Sequence, residues 1–445
     1  MSANATRTAV MGVLIGVVCT ACAASPRTDA ARTPAPPTSA FSPATSVPSD
    51  GSVVAAHAGE TWFLGTVPAQ AMAADPSLEP IRLGMINQEN TPVGSYPELR
   101  AAVQAAVAWV NAELGGVDGR PIELLTCTSP FDPAVSRKCA DDLVAKGVVA
   151  FVGGVDVMSA GAIEVIEQND LVLIGGIPAT LEEQRSSHAF FFSGGDSGAL
   201  AAFMAHAAES GRTRVGIAYG EEVVSFDVAA RDYGAAVGRS LGLEVQLLPY
   251  SIFTTDFSPL LSGASANGVD AVAVLAATSS CVPVMSAAEA LGIDQQLFLT
   301  GACAGSDTVT AAGDAIDGVL FNAEGRVDGI DVDAEIYQSV IDRYAAEPAG
   351  GAGTVAFRGF MNLYALLVEL GPDNVSAAGL RQFARSAVDR PSFWGHPYTC
   401  DGAQVPGLPA LCAPQQVLFR VTTGGGFESV TDWIATDELF DAALE

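Results

Sequence analysis

The stretch "GGVDVMSAGA" (153–162) carries a serine where an apolar run gives way to a helical pattern. The first backbone N–H groups of a helix have no partner within it, so they and the Ser159 hydroxyl would point out of the helix end. Such an end can hold an anionic group, for example a carboxylate. The plainer alternative is that Ser159 only caps the helix, the commonest reason for serine at such a place.

A second hydroxyl ends the next apolar run, "LVLIGGIPAT" (171–180). Thr180 opens the pattern T-L-E-E, in which Glu183 stands where a capping box requires an acidic residue. Ligands of open α/β sheets bind beyond the carboxyl ends of the strands. We therefore expect Thr180 to cap its helix and to lie at the edge of the sheet where ligands of such sheets bind.

The cysteines predict an exported protein with disulfides. Two of the eight end the N-terminal apolar run, and the other six fall as three local pairs, Cys127 with Cys139, Cys281 with Cys303, and Cys400 with Cys412. An even number of cysteines in an exported chain favours disulfides, although nested pairings stay open. Zinc is disfavoured because the four histidines are scattered. We predict no metal and no cofactor.

The letters "GGDSGA" (194–199) are close to the G-D-S-G-G of serine proteases. Those enzymes are all-β and take their histidine base from a loop that is distant in sequence. Here His188 lies only nine residues before Ser197, and the surrounding pattern alternates strand and helix. We predict that the chain is not an enzyme, and a hydrolase stays the minor alternative.

The N-terminal part predicts export and a lipid anchor. Its apolar run Ala9–Val18 follows Arg7, is too short for a finished transmembrane helix, and leads into small residues. Cys22 follows small residues and is the predicted lipidation site, whereas a plain signal cut after Ala24 is the alternative. We predict a lipoprotein signal peptide over 1–21, a disordered tether rich in Ala, Pro, Ser and Thr over 22–59, and an N-terminal arm over 60–80.

Composition limits the partners. The chain has 21 basic and 50 acidic residues and a net charge of −29 at pH 7, which disfavours nucleic acid and anionic membrane surfaces. No later segment has the apolar length of a transmembrane helix. We expect an extracytoplasmic protein that touches the cell membrane through its lipid anchor only. The residues after the arm are too many for one ordinary core and suit two lobes.

From residue 81 onward, strands and helices alternate. A first series of strands is predicted at "IRLGMINQ" (81–88), "RPIELLTC" (120–127), "VVAFVGG" (148–154) and "LVLIGG" (171–176). A second series is predicted at "RVGIAYG" (214–220), "EVQLLPY" (244–250), "DAVAVLAA" (270–277) and "LFLTG" (297–301). Such alternation specifies parallel sheets covered by helices. The predicted fold class is α/β, with two doubly wound parallel-sheet lobes and a cleft between their strand ends.

Four segments are similar to one known family. They are "AAVAWVNAELGGVDGRPIELLTC", "DPAVSRKCADDLVAKGVVAFVGG", "LVLIGGIPAT" and "FRGFMNLYALLVEL". The first has a helix ending N-x-x-G-G-x-x-G-R before a strand. In this the chain resembles the type I periplasmic binding proteins of the leucine/isoleucine/valine-binding family, in order over residues 81–432.

This resemblance implies three crossings between the lobes, near 193–197, 322–326 and 394–402. Lobe 1 would comprise 81–193 plus 326–394, and lobe 2 would comprise 197–322 plus 402–435. It also implies a monomeric solute-binding protein that presents a small ligand to the permease and ATPase subunits of an ABC importer. The chain has no phosphate-binding G-x-x-x-x-G-K-[ST] loop, which agrees with ATP hydrolysis belonging to a separate ATPase subunit. A ligand-sensing or accessory lipoprotein acting through another partner is the alternative.

The resemblance further implies ligand contacts in lobe 1. Ser159 would hold the carboxylate of the ligand, and Thr180 would bind through its hydroxyl and N–H group. Pro178 would offer its backbone carbonyl and Val157 its backbone alone. Tyr96 completes this set.

Lobe 2 departs from the amino-acid binders of the family. Phe226 stands where a tyrosine is frequent, Thr278 and Ser279 replace aromatic residues, and Ala302 or Cys303 stands where an acidic residue holds the α-ammonium. Burying an ammonium without a carboxylate costs several kcal/mol. The predicted ligand is therefore a small organic solute, which covers branched-chain amino acid-like molecules, amides and small carboxylates.

Overall fold

The structure is a computed structural model that describes residues 52–57, 63, 70–91, 94–327 and 331–444. These residues all belong to one compact unit, Ser49–Glu445. The predicted signal peptide, the predicted lipidation site Cys22 and most of the predicted tether lie outside the described residues.

The first sheet, which with its helices we call lobe 1, has five parallel strands in the order β2-β1-β3-β4-β5. They are β1 (Ile81–Gln88), β2 (Ile122–Ser129), β3 (Ala150–Val152), β4 (Leu173–Ile174) and β5 (Ala189–Phe190). All residues of β3 and β4 are buried, as expected for strands covered by helices on both faces.

The second sheet, which with its helices we call lobe 2, has seven strands in the order β12-β11-β10-β9-β8-β6-β7. They are β6 (Arg214–Gly220), β7 (Glu244–Tyr250), β8 (Ala271–Leu275), β9 (Gln296–Leu299), β10 (Leu320–Ala323), β11 (Val417–Val421) and β12 (Phe427–Ser429). Strands β6 to β10 are parallel, whereas β11 and β12 are antiparallel to their neighbours. The predicted α/β class with two parallel sheets is confirmed.

Helices cover both sheets. Those up to the first crossing are α1 (Val53–Ala56), α2 (Pro97–Glu113), α3 (Pro133–Ala145), α4 (Ala160–Gln168) and α5 (Leu181–Arg185). Those that follow are α6 (Gly195–Glu209), α7 (Val224–Val228), α8 (Ala235–Ser240), α9 (Ser258–Ala266), α10 (Thr278–Leu291), α11 (Ser306–Ala312), α12 (Val332–Tyr344), α13 (Gly353–Leu370), α14 (Ala377–Arg385) and α15 (Thr436–Leu444). A π-helical turn, Ala229–Gly234, joins α7 to α8.

Helix α2 shows how the sequence sets an element of lobe 1. Pro97 starts it, since proline fits the first turn, where its missing N–H group is not needed. Its small and apolar residues pack against α12 and α13. Gly115 and Gly116, with φ values of +77° and +65°, turn the chain away, and a Cβ on Gly116 would overlap the carbonyl oxygen of Arg120. Only glycine fits this turn, so the helix ends at Glu113.

Three chain crossings join the lobes. Gly194, in the first crossing, is so close to the third that an added Cβ would lie 2.7 Å from the Pro414 carbonyl oxygen. The third crossing predicted at 394–402 is wrong, and so is the predicted start of the last lobe-2 segment at 402. The N–H group of Cys412 still donates to the carbonyl oxygen of Phe191 in lobe 1, at 2.8 Å. The chain therefore enters lobe 2 only after Cys412.

The segment before β1 packs on lobe 1. The side chains of Val53 and Val54 in helix α1 are buried there, and the Val54 N–H group donates to Glu113 Oε2 at 3.2 Å. The Phe63 ring is fully buried, with its centroid 5.4 Å from that of Phe393. The disordered tether predicted over 22–59 is therefore wrong for its last residues, because valine side chains at this end enter the core of lobe 1.

Residues 70–80, within the predicted arm, run along the same lobe. Met72 forms a parallel β-bridge with Leu114, and its N–H group donates to the carbonyl oxygen of Glu113 at 2.8 Å. The Asp75 N–H group donates to the carbonyl oxygen of Gly119, also at 2.8 Å. Backbone bonds therefore hold this part of the arm beside the end of α2.

Candidate functional site

Two hydroxyl side chains meet at the carboxyl ends of β3 and β4. Ser159 follows β3 and Thr180 follows β4, and both are buried. Their hydroxyl oxygens lie 2.8 Å apart, within hydrogen-bonding distance. The Ser159 hydroxyl makes no capping bond to α4. The structure thus brings together two predicted residues from separate strand ends.

Thr180 caps α5 in the predicted capping box. Its hydroxyl accepts from the Glu183 N–H group at 3.2 Å, and Glu183 Oε2 accepts from the N–H groups of Thr180 and Ala179 at 3.0 and 2.8 Å. Burial raises the pKa of Glu183 to about 8, and the neighbouring Asp156 adds to the shift. Glu183 is therefore mostly protonated at pH 7 while it accepts two backbone hydrogen bonds.

The backbone groups predicted to contact ligand are bonded within lobe 1. The Pro178 carbonyl oxygen accepts from Gln184 Nε2 at 2.9 Å. The Val157 N–H group donates to Gln88 Oε1 at 3.3 Å. These side chains hold the strand ends in place, so a ligand would share or displace their hydrogen bonds.

Asp156 is a buried acid beneath this pair of hydroxyls. Its Oδ1 accepts from the Ser129 hydroxyl at 3.1 Å and from the Met158 N–H group at 3.0 Å. Its Oδ2 has no hydrogen-bond partner among the described residues. Burial raises the pKa of Asp156, and the nearby Ser136 hydroxyl together with the hydrogen bonds from Met158 and Ser129 opposes the shift.

A small cavity adjoins these groups inside lobe 1. It measures about 30 Å³, which is room for one or two water molecules. Its lining is mainly apolar and includes Ile86, Phe151, Ile163, Asp156, Ser159 and Glu183. All of its lining residues belong to lobe 1, so it lies behind the hydroxyl pair rather than between the lobes.

Helix α7 of lobe 2 reaches across to the lobe-1 wall. The Ser225 hydroxyl donates to the carbonyl oxygen of Ala179 at 2.7 Å, and Ser225 is buried. Ala179 directly precedes Thr180, so this bond joins lobe 2 to the candidate site. The next residue, Phe226, is half-buried, as a side chain at the edge of a cleft would be.

The other predicted lobe-2 residues begin a helix. Thr278 and Ser279 are the first two residues of α10. The hydroxyls of Thr278 and Ser280 have no hydrogen-bond partner among the described residues. Ala302 lies in a half-buried 3₁₀ turn after β9. The start of α10 in lobe 2 thus carries hydroxyls that make no hydrogen bond to the described residues.

Tyr96 precedes α2 in lobe 1 and faces this helix end. Burial raises the pKa of the Tyr96 phenol, and its contact with Thr278 opposes the shift. Because that contact lies outside hydrogen-bonding geometry, the Thr278 hydroxyl keeps no partner. Tyr96 and Thr278 therefore approach each other from opposite lobes.

An acidic cluster surrounds the first crossing. The hydroxyl of Ser193 and the N–H group of Gly194 (3.2 Å) donate to the Glu324 carboxylate, which also pairs with the buried Arg358. Burial and the nearby Glu324 raise the pKa of Asp196 to about 7. No described residue donates a hydrogen bond to the Asp196 carboxylate.

Asp196 lies near the candidate residue Tyr96, although sequence reasoning gave it no role. The preceding residue, Gly195, packs on the candidate site, since an added Cβ would lie 3.1 Å from Pro178 Cγ. Asp196 lies within the letters "GGDSGA", which were considered only for their similarity to a serine-protease motif. The signal that could have found it is its position at a strand-to-helix junction after β5, like those of Ser159 and Thr180.

The sulfur atoms of the three predicted cysteine pairs lie at bonding distance. The Cα–Cα distances are 5.6 Å for Cys127 with Cys139, 5.3 Å for Cys281 with Cys303, and 4.6 Å for Cys400 with Cys412. Among the described residues, no group of three or more His, Cys, Asp or Glu side chains could hold a metal ion. Within the same residues, no helix is long and apolar enough to span a membrane.

Comparison with known proteins identifies the family. The sequence profile described as "Periplasmic binding protein" matches residues 80–384, which is more than half of the chain. This chain belongs to the periplasmic binding protein family. Of curated protein sequences, none matches it significantly. Members of the family are binding proteins rather than enzymes.

Solved structures share the fold at low sequence identity. A leucine-binding protein from Thermotoga maritima is 18% identical, with a TM-score of 0.67 over 80% of this chain and 99% of that one. A fatty acid ABC transporter substrate-binding protein from Thermomonospora curvata is 18% identical, with a TM-score of 0.68 over 83% and 96%. A solute-binding protein from R. palustris in complex with 4-hydroxybenzoate is 16% identical, with a TM-score of 0.66 over 80% and 97%. The predicted type I periplasmic binding protein fold is confirmed.

Proposed function

We propose that this chain is the extracytoplasmic, lipid-anchored solute-binding subunit of an ABC importer. It captures a small organic solute between its lobes and presents it to the permease and ATPase subunits. Membership of the periplasmic binding protein family supports this proposal, and so does the lipoprotein pattern that ends at Cys22. The observation that carries it is the buried pair of hydroxyls, Ser159 and Thr180, which meet at two strand ends directly opposite Ser225 of lobe 2.

We propose two sets of ligand contacts. The lobe-1 set is Tyr96, Val157, Ser159, Pro178 and Thr180, and the lobe-2 set is Phe226, Thr278, Ser279 and Ala302. Ser159 and Thr180 offer hydroxyl donors to a carboxylate or amide oxygen. Asp196, at the first crossing, adds the acidic group that is missing at Ala302. The ligand class is a branched-chain amino acid-like molecule, an amide or a small carboxylate.

Ligands of proteins with a similar fold cover part of this class. Solved structures of similar fold are described as binding leucine, isoleucine, benzoate or 4-hydroxybenzoate. All of these molecules carry a carboxylate. They support a ligand whose carboxylate meets the hydroxyl pair, with the rest of the molecule facing lobe 2.

A thermal-shift screen tests the proposal. The purified mature chain is heated with amino acids, amides, aliphatic carboxylates and benzoates, each at high concentration. A ligand present at 100 times its dissociation constant adds about 2.7 kcal/mol to the free energy of unfolding. We expect a rise in melting temperature for one of these classes and none for the others. No shift with any class would refute solute capture.

Two substitutions then identify the contacts, by calorimetry with the solute that the screen finds. Ser159→Ala should weaken binding between several-fold and a hundred-fold, because a hydrogen bond in a buried site is worth about 1–3 kcal/mol. Ser265→Ala, in an exposed part of α9, is the matched control and should not change binding. Asp196→Asn should weaken an amino acid more than a simple carboxylate, since only the amino acid carries an ammonium.

The lipid anchor is tested separately. Mass analysis of the mature protein should show a diacylglyceryl-modified cysteine at residue 22. Cys22→Ala should release the protein from the membrane fraction without changing solute affinity. A wild-type product that begins at Ala23 or later would disprove the anchor.

A further inference from the structure

The Cys400–Cys412 disulfide closes a loop that we call the 400–412 loop. The loop lies beyond residues 80–384, which match the family profile. On one side it pairs with lobe 1. The Phe191 N–H group donates to the Ala410 carbonyl oxygen at 2.7 Å, and the Cys412 N–H group donates to the Phe191 carbonyl oxygen at 2.8 Å. These two bonds form an isolated parallel β-bridge between Phe191 and Leu411, directly after β5.

A guanidinium group braces the same side of the loop. Arg385, the last residue of α14, donates from Nη1 to the carbonyl oxygens of Cys400 (2.9 Å) and Pro409 (3.1 Å). Its side chain also lies over the Phe190 ring, 4.6 Å from the ring centre. Lobe 1 therefore holds both ends of the loop.

The other side of the loop contacts lobe 2. The Tyr233 hydroxyl, in the π-helical turn between α7 and α8, donates to the Pro406 carbonyl oxygen at 2.7 Å. Val405 and Leu408 are fully buried in an apolar cluster whose other members come from both sheets, for example Phe151 of lobe 1 and Ile217 of lobe 2. The loop thus fills space between the two lobes, next to the residue that follows β5.

The loop also reaches the candidate ligand segment. The Ala410 N–H group donates to the Gln184 carbonyl oxygen at 3.1 Å. Gln184 in turn donates from its side chain to the carbonyl oxygen of Pro178, at 2.9 Å. Two consecutive hydrogen bonds therefore connect the disulfide-closed loop to the residues beside Thr180.

We propose that the 400–412 loop is a strut between the lobes that positions segment 178–184 and limits the hinge opening. Its role in positioning the ligand segment rests on the proposed function, whereas its role as a strut does not. The loop can act as a strut because it is bonded to lobe 1 at both ends, contacts lobe 2 at its middle, and is closed by a covalent bond. A simple linker between domains would lack the contacts on both sides.

A matched pair of disulfide variants tests this proposal in the ligand-free protein. Cys400→Ala/Cys412→Ala opens the strut, and Cys127→Ala/Cys139→Ala opens a lobe-1 disulfide that also spans 12 residues. The two disulfides close loops of equal length and so limit the entropy of the unfolded chain to a similar extent. Removing either one should therefore lower the free energy of unfolding by a similar amount. We expect only the first variant to exchange amide hydrogens about ten-fold faster over 178–192 and to have a larger radius of gyration in solution.

Tyr233→Phe keeps the proposal testable if the disulfide variant does not fold. It removes only the hydroxyl that donates to Pro406, and amide exchange over 403–412 should rise about three-fold. Tyr337→Phe is its control, because the Tyr337 hydroxyl donates to the Ala349 carbonyl oxygen at 2.6 Å within lobe 1. Equal effects of test and control variants, on exchange and on the radius of gyration, would overturn the strut. Because no ligand is added, failure here is distinct from failure of the solute screen.

Discussion

The two walls of the cleft differ in how far their polar groups are used. On the lobe-1 wall, the Ser159 and Thr180 hydroxyls bond to each other, and Glu183 accepts from two backbone N–H groups. On the lobe-2 wall, the hydroxyls of Thr278 and Ser280 have no hydrogen-bond partner among the described residues. The lobe-1 groups are thus held in place by hydrogen bonds, whereas these lobe-2 hydroxyls have no hydrogen bond to the described residues.

This difference bears on specificity. A pre-organised wall loses little conformational entropy on binding, because its side chains are already ordered in the folded protein. It can bind a feature common to many ligands, such as a carboxylate. Buried groups without partners cost free energy until a ligand satisfies them. They therefore discriminate strongly between a ligand that matches them and one that does not. Under the proposed function, lobe 1 would bind the common part of the solute and lobe 2 would select its variable part.

Glu183→Ala should have the largest effect on the free energy of unfolding. It leaves the buried N–H groups of Ala179 and Thr180 without their acceptor, a loss of about 2–4 kcal/mol. Chemical denaturation measures it. The neighbouring Glu182→Ala is exposed and should change the free energy of unfolding by less than about 0.5 kcal/mol. Equal losses at both positions would contradict a pre-organised lobe-1 wall.

Stability should fall as pH rises from about 5 to 8. Burial raises the pKa of Glu183 to about 8 in the folded chain, so the folded state holds this proton after the unfolded state has lost it. The stabilisation is complete below the ordinary glutamate pKa and is lost as pH rises through 8. Burial also raises the pKa of Glu98 and of Asp196 to about 7, which adds to the same slope.

Glu183→Gln isolates one contribution to this slope. Removing one titrating group should make it shallower by at most about 1.4 kcal/mol per pH unit. Urea denaturation at several pH values between 5 and 8 measures the slope, with Glu182→Gln as the control. A slope that Glu183→Gln leaves unchanged would show that this carboxyl does not hold its proton in the folded state.

Ser280→Ala should have the smallest effect. It removes a buried hydroxyl that has no partner, so the free energy of unfolding should stay within about 0.5 kcal/mol of wild type or rise slightly. Thermal and chemical denaturation check this. A loss of more than about 1 kcal/mol would mean that the lobe-2 wall is as fully bonded as the lobe-1 wall.

Much of the fold, and the position of two candidate residues, follow from local patterns. Apolar runs followed by helical periodicity predict the strands, and the strand-to-helix junctions place Ser159 and Thr180 together, because parallel strands present their carboxyl ends at one edge. Their role as ligand contacts came from the family resemblance and stays a proposal. The lobe-2 wall was harder to predict. Thr278 and Ser279 begin α10, and which hydroxyl groups of this helix keep no hydrogen-bond partner depends on contacts that only the folded chain makes.

The third crossing and Asp196 required information that no local pattern holds. Residues 394–412 are rich in Gly and Pro and have no periodicity, so nothing in them shows which lobe they join. Pairing with Phe191 decides it, through contacts far apart in sequence. The surroundings of Asp196 depend on the approach of Glu324 and Tyr96, which only the folded chain brings near it.

The burial of Phe63 has a mechanical consequence. Because this ring and helix α1 are packed into lobe 1, a force applied to the chain ahead of residue 52 is borne by the core of lobe 1 and bypasses the hinge. Lobe 1 is then the fixed frame of the molecule and lobe 2 the moving arm. An anchor of any kind at the N-terminal end would orient the hinge axis without loading it.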